Sequence, residues 1–174
     1  MLFFAAITGL GGGTLRDVLS GAPVFWVQDP GYLLACVLAS VAIWFGGRWL
    51  DRPRALTWLD AVGMSAYAAI GAAKAYGLGI APPVCIVMGV MTATFGGVLR
   101  DIVAGQPSIL LGREIYVSAA LAGASAYILA AVLGTAQPLA LFLGFAVGFG
   151  ARGGAILFGW SWPGYPAGSH PNRT

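Results

Sequence analysis

The chain has 174 residues, of which only 9 are Lys or Arg and 6 are Asp or Glu, while 59% are hydrophobic. Mean hydropathy is +0.84. A soluble domain carries about 25% charged residues and a disordered chain more still, so both classes are excluded and an integral membrane protein remains.

Six apolar segments follow in chain order, each close to spanning length and each predicted as a helix. The first runs over residues 2–19 and is interrupted by Gly11-Gly12-Gly13. The second covers about 31–47 and the third about 58–76. The fourth covers 83–103, with Gly96-Gly97 inside it, and the last two cover 115–133 and 138–158. The runs lack the period-2 alternation of a membrane barrel. The Pro- and Gly-rich stretch 161–174 reads as a disordered tail. Arg48, Arg52 and Arg54 outweigh Asp51 between the second and third segments, which marks that loop as cytoplasmic. Alternation then places Arg113, Arg152 and Arg173 inside and the uncharged loops at Gly79 and Thr135 outside, so the C-terminus is expected in the cytoplasm.

Residues 8–23, TGLGGGTLRDVLSGAP, align with residues 92–107, TATFGGVLRDIVAGQP, at an offset of 84. Thr8, Gly12, Gly13, Leu15, Arg16, Asp17, Gly21 and Pro23 recur as Thr92, Gly96, Gly97, Leu99, Arg100, Asp101, Gly105 and Pro107. Tyr32 and Tyr116 share the same offset. The repeat unit holds three spans, an odd number, so the second copy must be inverted in the membrane. Inverted repeats with paired Gly-interrupted helices point to a transport path at the repeat interface. The counterpart of the third segment in the first copy would lie ahead of Met1, so the first copy is read as lacking its first helix. The expected organisation is 1–56 for this incomplete first repeat and 57–135 for the inverted second repeat. A final helix follows over 136–160, then the cytoplasmic tail 161–174.

These stretches resemble the trimeric intracellular cation (TRIC) channel superfamily, in its bacterial branch described by a glycine-transporter domain. GGGTLRDVLSGAP (11–23) and FGGVLRDIVAGQP (95–107) carry the resemblance, supported by LDAVGMSAYAAIGAAKA (59–75) and REIYVSAALAGASAY (113–127). It implies an all-α polytopic homotrimer in the bacterial inner membrane, with a pore in each protomer lined by the two kinked helices, here 2–19 and 83–103. It also implies monovalent cations as the permeant species.

Each candidate residue has a bland reading beside the functional one. Gly11, Gly12, Gly13, Gly96 and Gly97 suit either tight helix packing or a pore-lining break, and their duplication favours the break. Arg16, Asp17, Arg100 and Asp101 are neutralised pairs at helix ends that could also shape a pore mouth; an unpaired Arg near the helix centre costs about 2.5–3.5 kcal/mol. Lys74 either snorkels to the outer interface or faces the pore to tune conduction or gating. Thr8, Thr92, Thr94 and Ser65 either line a hydrated path or back-bond to their own helices. Ala61, Ser65, Ala69 and Ala73, at four-residue spacing, read as a packing face. Asp60 suits a helix start. Cys36 and Cys85 read as small apolar residues and His170 as a tail residue. No nucleophile–base pair, metal-ligand spacing or phosphate loop is present, so neither an enzyme nor a cofactor beyond permeant K⁺ or Na⁺ is expected, and the scattered basic residues do not suit nucleic acid. The expected function is a passive K⁺ channel between two Gly-broken helices. The alternative is a carrier of a small zwitterion such as glycine.

Overall fold

The computed structural model describes residues 2–50, 53–105 and 115–160. These form seven helices: α1 (Leu2–Leu19), α2 (Phe25–Gln28), α3 (Gly31–Leu50), α4 (Pro53–Gly77), α5 (Pro82–Val103), α6 (Val117–Val132) and α7 (Gln137–Phe158). Six coincide with the expected spans. The seventh, the four-residue α2, has no apolar run long enough to announce it. Pro107, Arg113, Asp51, Arg52 and the whole tail with His170 and Arg173 lie outside the described residues, and so do the side chains of Arg48 and Arg54.

The glycines do not interrupt their helices. Both α1 and α5 run as continuous α-helix through Gly11–Gly13 and Gly96–Gly97. The expected broken helices are therefore corrected: close neighbours at Gly11, Gly12, Gly13 and Gly96 offset what those glycines lose in intrinsic propensity, about 1 kcal/mol each. A different glycine ends both helices. Gly21 and Gly105, equivalent in the repeat, adopt the left-handed conformation with φ +65 and +63. The turns match as well. Ser20 N–H donates to the Arg16 carbonyl and Gly21 N–H to that of Val18, as Ala104 N–H does to Arg100 and Gly105 N–H to Ile102.

α4 is the central helix, packed on α5, α6 and α7. It buries its small side chains: Ala61, Ser65, Ala68, Ala69 and Ala72 are at most 1% exposed. Gly89 of α5 abuts the Ala68 carbonyl, and Gly123 of α6 faces Gly144 and Gly148 of α7. Many large apolar side chains point outward instead, among them Leu59, Ile70, Val87, Leu129 and Phe142. The largest fully buried side chains are Asp17, Cys85 and Ser65. A soluble core would invert this order; helices that meet through small residues and present Leu, Ile and Phe outward suit lipid. α5 and α7, of 22 residues each with hydropathy 1.7, are long and apolar enough to cross a membrane. Each reaches about 33 Å against a hydrocarbon thickness of about 30 Å.

Candidate functional site

The two repeat-equivalent helices cross face to face, and the contact is reciprocal. A Cβ at Gly12 would run into the Thr92 carbonyl oxygen, and a Cβ at Gly96 would run into the Thr8 carbonyl oxygen. Thr8 and Thr92 are themselves repeat equivalents, so one contact is made twice about a local two-fold axis. The pairing of 8 with 96 and 12 with 92 runs antiparallel, as inverted copies require. Only glycine lets a helix backbone settle this closely on a neighbour's carbonyl. The five glycines are not alike, however. A Cβ at Gly11 would lie 3.0 Å from Leu99 Cδ1, and one at Gly13 would lie 2.5 Å from the Phe25 ring. Gly97 has open space beside it.

The Arg–Asp pairs cap the two ends of this crossing. At the Asp17 end the carboxylate is wholly buried. Arg16 donates to Oδ1 through Nε at 2.9 Å and sits at 2.8 Å through its terminal nitrogen. Lys74 reaches across from α4 to Oδ2 at 2.8 Å, and the Phe25 N–H donates to the same oxygen at 3.0 Å. Asp17 therefore binds α1, α2 and α4 at one point. The Phe25 ring lies 5.9 Å from the Arg16 guanidinium and 5.8 Å from the Lys74 ammonium, and Tyr32 meets that ring edge-on. Lys74 does not simply snorkel: its ammonium is an ion-pair partner with a side chain 32% exposed. At the Asp101 end, Arg100 donates to Asp101 Oδ1 at 3.0 and 2.9 Å.

The hydroxyls are placed differently from one another. Thr8, Thr92, Thr94 and Ser65 each donate to the carbonyl four residues back, at 2.7–2.9 Å. Thr8 is exposed and Thr92 and Thr94 are buried, Thr92 with its Oγ1 towards Gly71 of α4. Ser65 is buried against Gly148 of α7, which removes it from the α1–α5 crossing. Its hydroxyl suggests a path and its four-residue spacing on α4 a packing face; in the structure it back-bonds to Ala61 and lies against Gly148.

The charge pattern groups Arg152 with the cytoplasmic-side charges, yet it is 4% exposed within α7 with its guanidinium 5.2 Å from the Tyr116 ring centroid. The Tyr116 hydroxyl donates to Asp60 Oδ1 at 3.4 Å. A charge six residues inside an apolar helix was the available signal. Beside α1 runs an apolar groove of about 510 Å³, lined by Phe3, Ile7, Leu10, Thr14, Trp26 and Leu99 among others. Trp26 Nε1 donates to Thr14 Oγ1 at 2.9 Å at its wall, which ties α2 to α1. Among the described residues no group of His, Cys, Asp and Glu could hold a metal ion.

Comparison with known proteins fits this geometry. A family model described as "Glycine transporter" matches residues 1–48 and 57–132. A UPF0126 membrane protein of Vibrio cholerae is 32% identical over 173 residues, covering 94% of this chain and 70% of the relative. The UPF0126 inner membrane protein YadS of Escherichia coli is 37% identical over 129 residues, covering 71% of this chain. The chain spans only 61% of YadS. Among solved structures, a TRIC trimeric intracellular cation channel orthologue from Rhodobacter sphaeroides superposes with a TM-score of 0.82 at 46% identity, covering 89% of this chain and 81% of that one. A structure described for conductance through TRIC cation channels gives 0.84 at 30% identity, over 93% of this chain and 80% of that one. The chain is a bacterial-type membrane protein of the glycine-transporter family and belongs, by sequence and by fold, to the TRIC-type superfamily.

Proposed function

We propose that this protein is a passive channel for monovalent cations, K⁺ or Na⁺, with the path in each protomer running along the interface of α1 and α5. The observation that carries the reading is the reciprocal glycine–carbonyl crossing of two inverted, repeat-equivalent helices with an Arg–Asp pair at each end. Its likeness to proteins described as cation channels supports the same reading.

The mechanism follows from how the helices meet. At the crossing α1 and α5 touch through Gly12, Gly96 and the carbonyls of Thr8 and Thr92, with the Leu99 side chain of α5 beside Gly11. A contact made backbone to backbone through glycine leaves few side chains to displace when the helices part. Once the helices part, the two threonine carbonyls face the gap and offer a cation dipoles in place of part of its hydration shell. At the Asp17 end two cations meet one carboxylate, so the local charge repels a permeant cation. Lys74, with its side chain one third exposed, is the group whose displacement relieves that repulsion. The assembly is a homotrimer in the inner membrane, with the Asp101 end and the C-terminus facing the cytoplasm. No catalytic step is involved.

The test is planar-bilayer recording under a K⁺ gradient. Discrete current steps reversing near the K⁺ potential are expected. Gly97→Leu should reduce unitary current severalfold, because a Cβ at Gly97 meets nothing within 4 Å and the added side chain extends into that space. Unchanged current in a folded Gly97→Leu protein would sink the path assignment. The carrier reading draws on the family's name. Its half-helix N-termini have no counterpart in the continuous α1 and α5, and it would show itself as saturable, competed glycine uptake without unitary steps.

A further inference from the structure

The last helix lies outside the duplicated unit, yet it carries a buried cation into it. Arg152 is 4% exposed and stacks over the face of Tyr116, itself 5% exposed, at 5.2 Å. The Tyr116 hydroxyl continues to Asp60 of α4 at 3.4 Å. Tyr116 also belongs to the packed cluster of Met64, Ala68, Ala119 and Ala120, against which Val90 and Ala93 of α5 rest. The α7 backbone is close here too: a Cβ at Gly153 would lie 3.2 Å from the Trp58 ring. A short turn joins α4 to α5, and α6 starts after α5 finishes, so the start of α4 and the start of α6 both lie at the Asp101 end.

The other end offers a control drawn from the same sequence repeat. Tyr32, the equivalent of Tyr116, meets Phe25 edge-on at 4.7 Å, and Phe25 lies beside Arg16 and Lys74. Each end thus holds a repeat-aligned tyrosine beside an aromatic–cation contact, but at the Asp17 end the cations lie over Phe25, which Tyr32 meets edge-on. At the Asp17 end the cations come from α1 and α4. At the Asp101 end the cation over the tyrosine comes from α7. A guanidinium is stable this deep only against a π face and polar partners, so its place is specified rather than incidental.

We infer that Arg152 is a positioning residue for the Asp101 end of the path: through Tyr116 and Asp60 it holds α4, α6 and α7 together and so sets how readily the end of α5 moves. The inference rests on the α1–α5 path proposed above. It is tested with Gly97→Cys as a reporter, its modification by a small cationic methanethiosulfonate followed in proteoliposomes and corrected for the Cys36 and Cys85 background. Arg152→Met should change the reporter rate at least fivefold, whereas Arg152→Lys, which keeps a cation over the ring, should stay within twofold. Tyr116→Leu removes the ring and should reproduce Arg152→Met, which keeps the inference testable if one variant does not fold. Folded Arg152→Met and Tyr116→Leu proteins that both react at the parent rate would overturn it. So would an Arg152→Lys protein as altered as Arg152→Met, since that outcome assigns Arg152 to packing alone. Silent bilayer recordings of the protein without substitutions would overturn the channel reading while the reporter rates still decide the role of Arg152.

Discussion

The two ends of the α1–α5 crossing are built from the same sequence words and solve different physical problems. Both carry Arg-Asp, both end in a left-handed glycine, and in both the arginine clasps the neighbouring carboxylate. At the Asp17 end the carboxylate is 0% exposed, the arginine side chain 5%, and Lys74 is recruited from another helix. At the Asp101 end the arginine side chain is 36% exposed and the carboxylate 9%. The duplicated motif therefore specifies a pair, while the surroundings decide whether that pair is a buried junction or a half-solvated cap. A buried carboxylate with two cations is a structural commitment; a pair with one foot in water is not.

The largest effect expected from this contrast is on stability. Asp17→Ala leaves the buried Arg16 and the one-third-exposed Lys74 without their carboxylate and frees the Phe25 N–H, and should cost about 3–5 kcal/mol. Asp101→Ala leaves an arginine that water already reaches, and should cost no more than about 1.5–3 kcal/mol. Unfolding of the purified protein in lipid–detergent mixtures measures both. Equal losses would show that the two ends are buried alike, contrary to the geometry.

The glycine crossing gives the next test. Gly12→Ala and Gly96→Ala each push a methyl into a carbonyl of the partner helix, and should destabilise by about 1–3 kcal/mol each. Reciprocity demands that the two losses match within about 0.5 kcal/mol. Gly97→Ala meets open space, so only helix propensity acts, and it should stabilise by up to about 1 kcal/mol. A destabilising Gly97→Ala would mean that the space beside it is filled.

These contrasts also show what could be read in advance. The spans were legible because charge is so sparse that apolar runs and their borders stand out. The inversion was legible because an odd number of spans separates the copies. The role of the glycines was not. A Gly pair in a membrane helix serves unwinding and close approach equally well, and only the partner surface separates them: Thr92 and Thr8 present carbonyls to Gly12 and Gly96, whereas Gly97 faces nothing. Lys74 was singled out, but its partner lies 57 residues away, beyond any local pattern. Arg152 falls inside the apolar run 138–158 yet reads with the cytoplasmic charges, because its burial depends on which face of the helix it occupies. The short α2 escaped because its four residues are fixed by Asp17 and Thr14 rather than by their own propensity.

A gating effect should accompany these structural ones. Lys74→Met removes one of two cations from the Asp17 end without leaving the carboxylate unpaired, since Arg16 remains at 2.8 Å. Cation current through open channels should rise by a factor of about 2–5, equivalent to about 0.4–1 kcal/mol of relieved repulsion at a screened, partly exposed site. Arg100→Met, at the more solvated pair, should change current less. A larger effect at Arg100 than at Lys74 would move the controlling charge to the opposite end.

The smallest expected difference concerns a position where the repeat departs from itself. Thr14 stands where the second copy has Val98. Its Oγ1 accepts from the Trp26 indole at 2.9 Å and donates to the Leu10 carbonyl at 2.7 Å. Thr14→Val makes the first copy match the second and removes the acceptor that holds α2 on α1. The loss should be about 0.5–1.5 kcal/mol, the usual net worth of one hydrogen bond. Trp26→Phe removes the donor of the same bond, so the double variant should lose less than the sum of the two single losses. Overlap of about 0.5 kcal/mol or more identifies the bond as the tether. Strict additivity would mean that this bond does not hold α2, and the tether would pass to the Phe25 N–H on Asp17 and the contacts of the Phe25 ring with Gly13 and Tyr32.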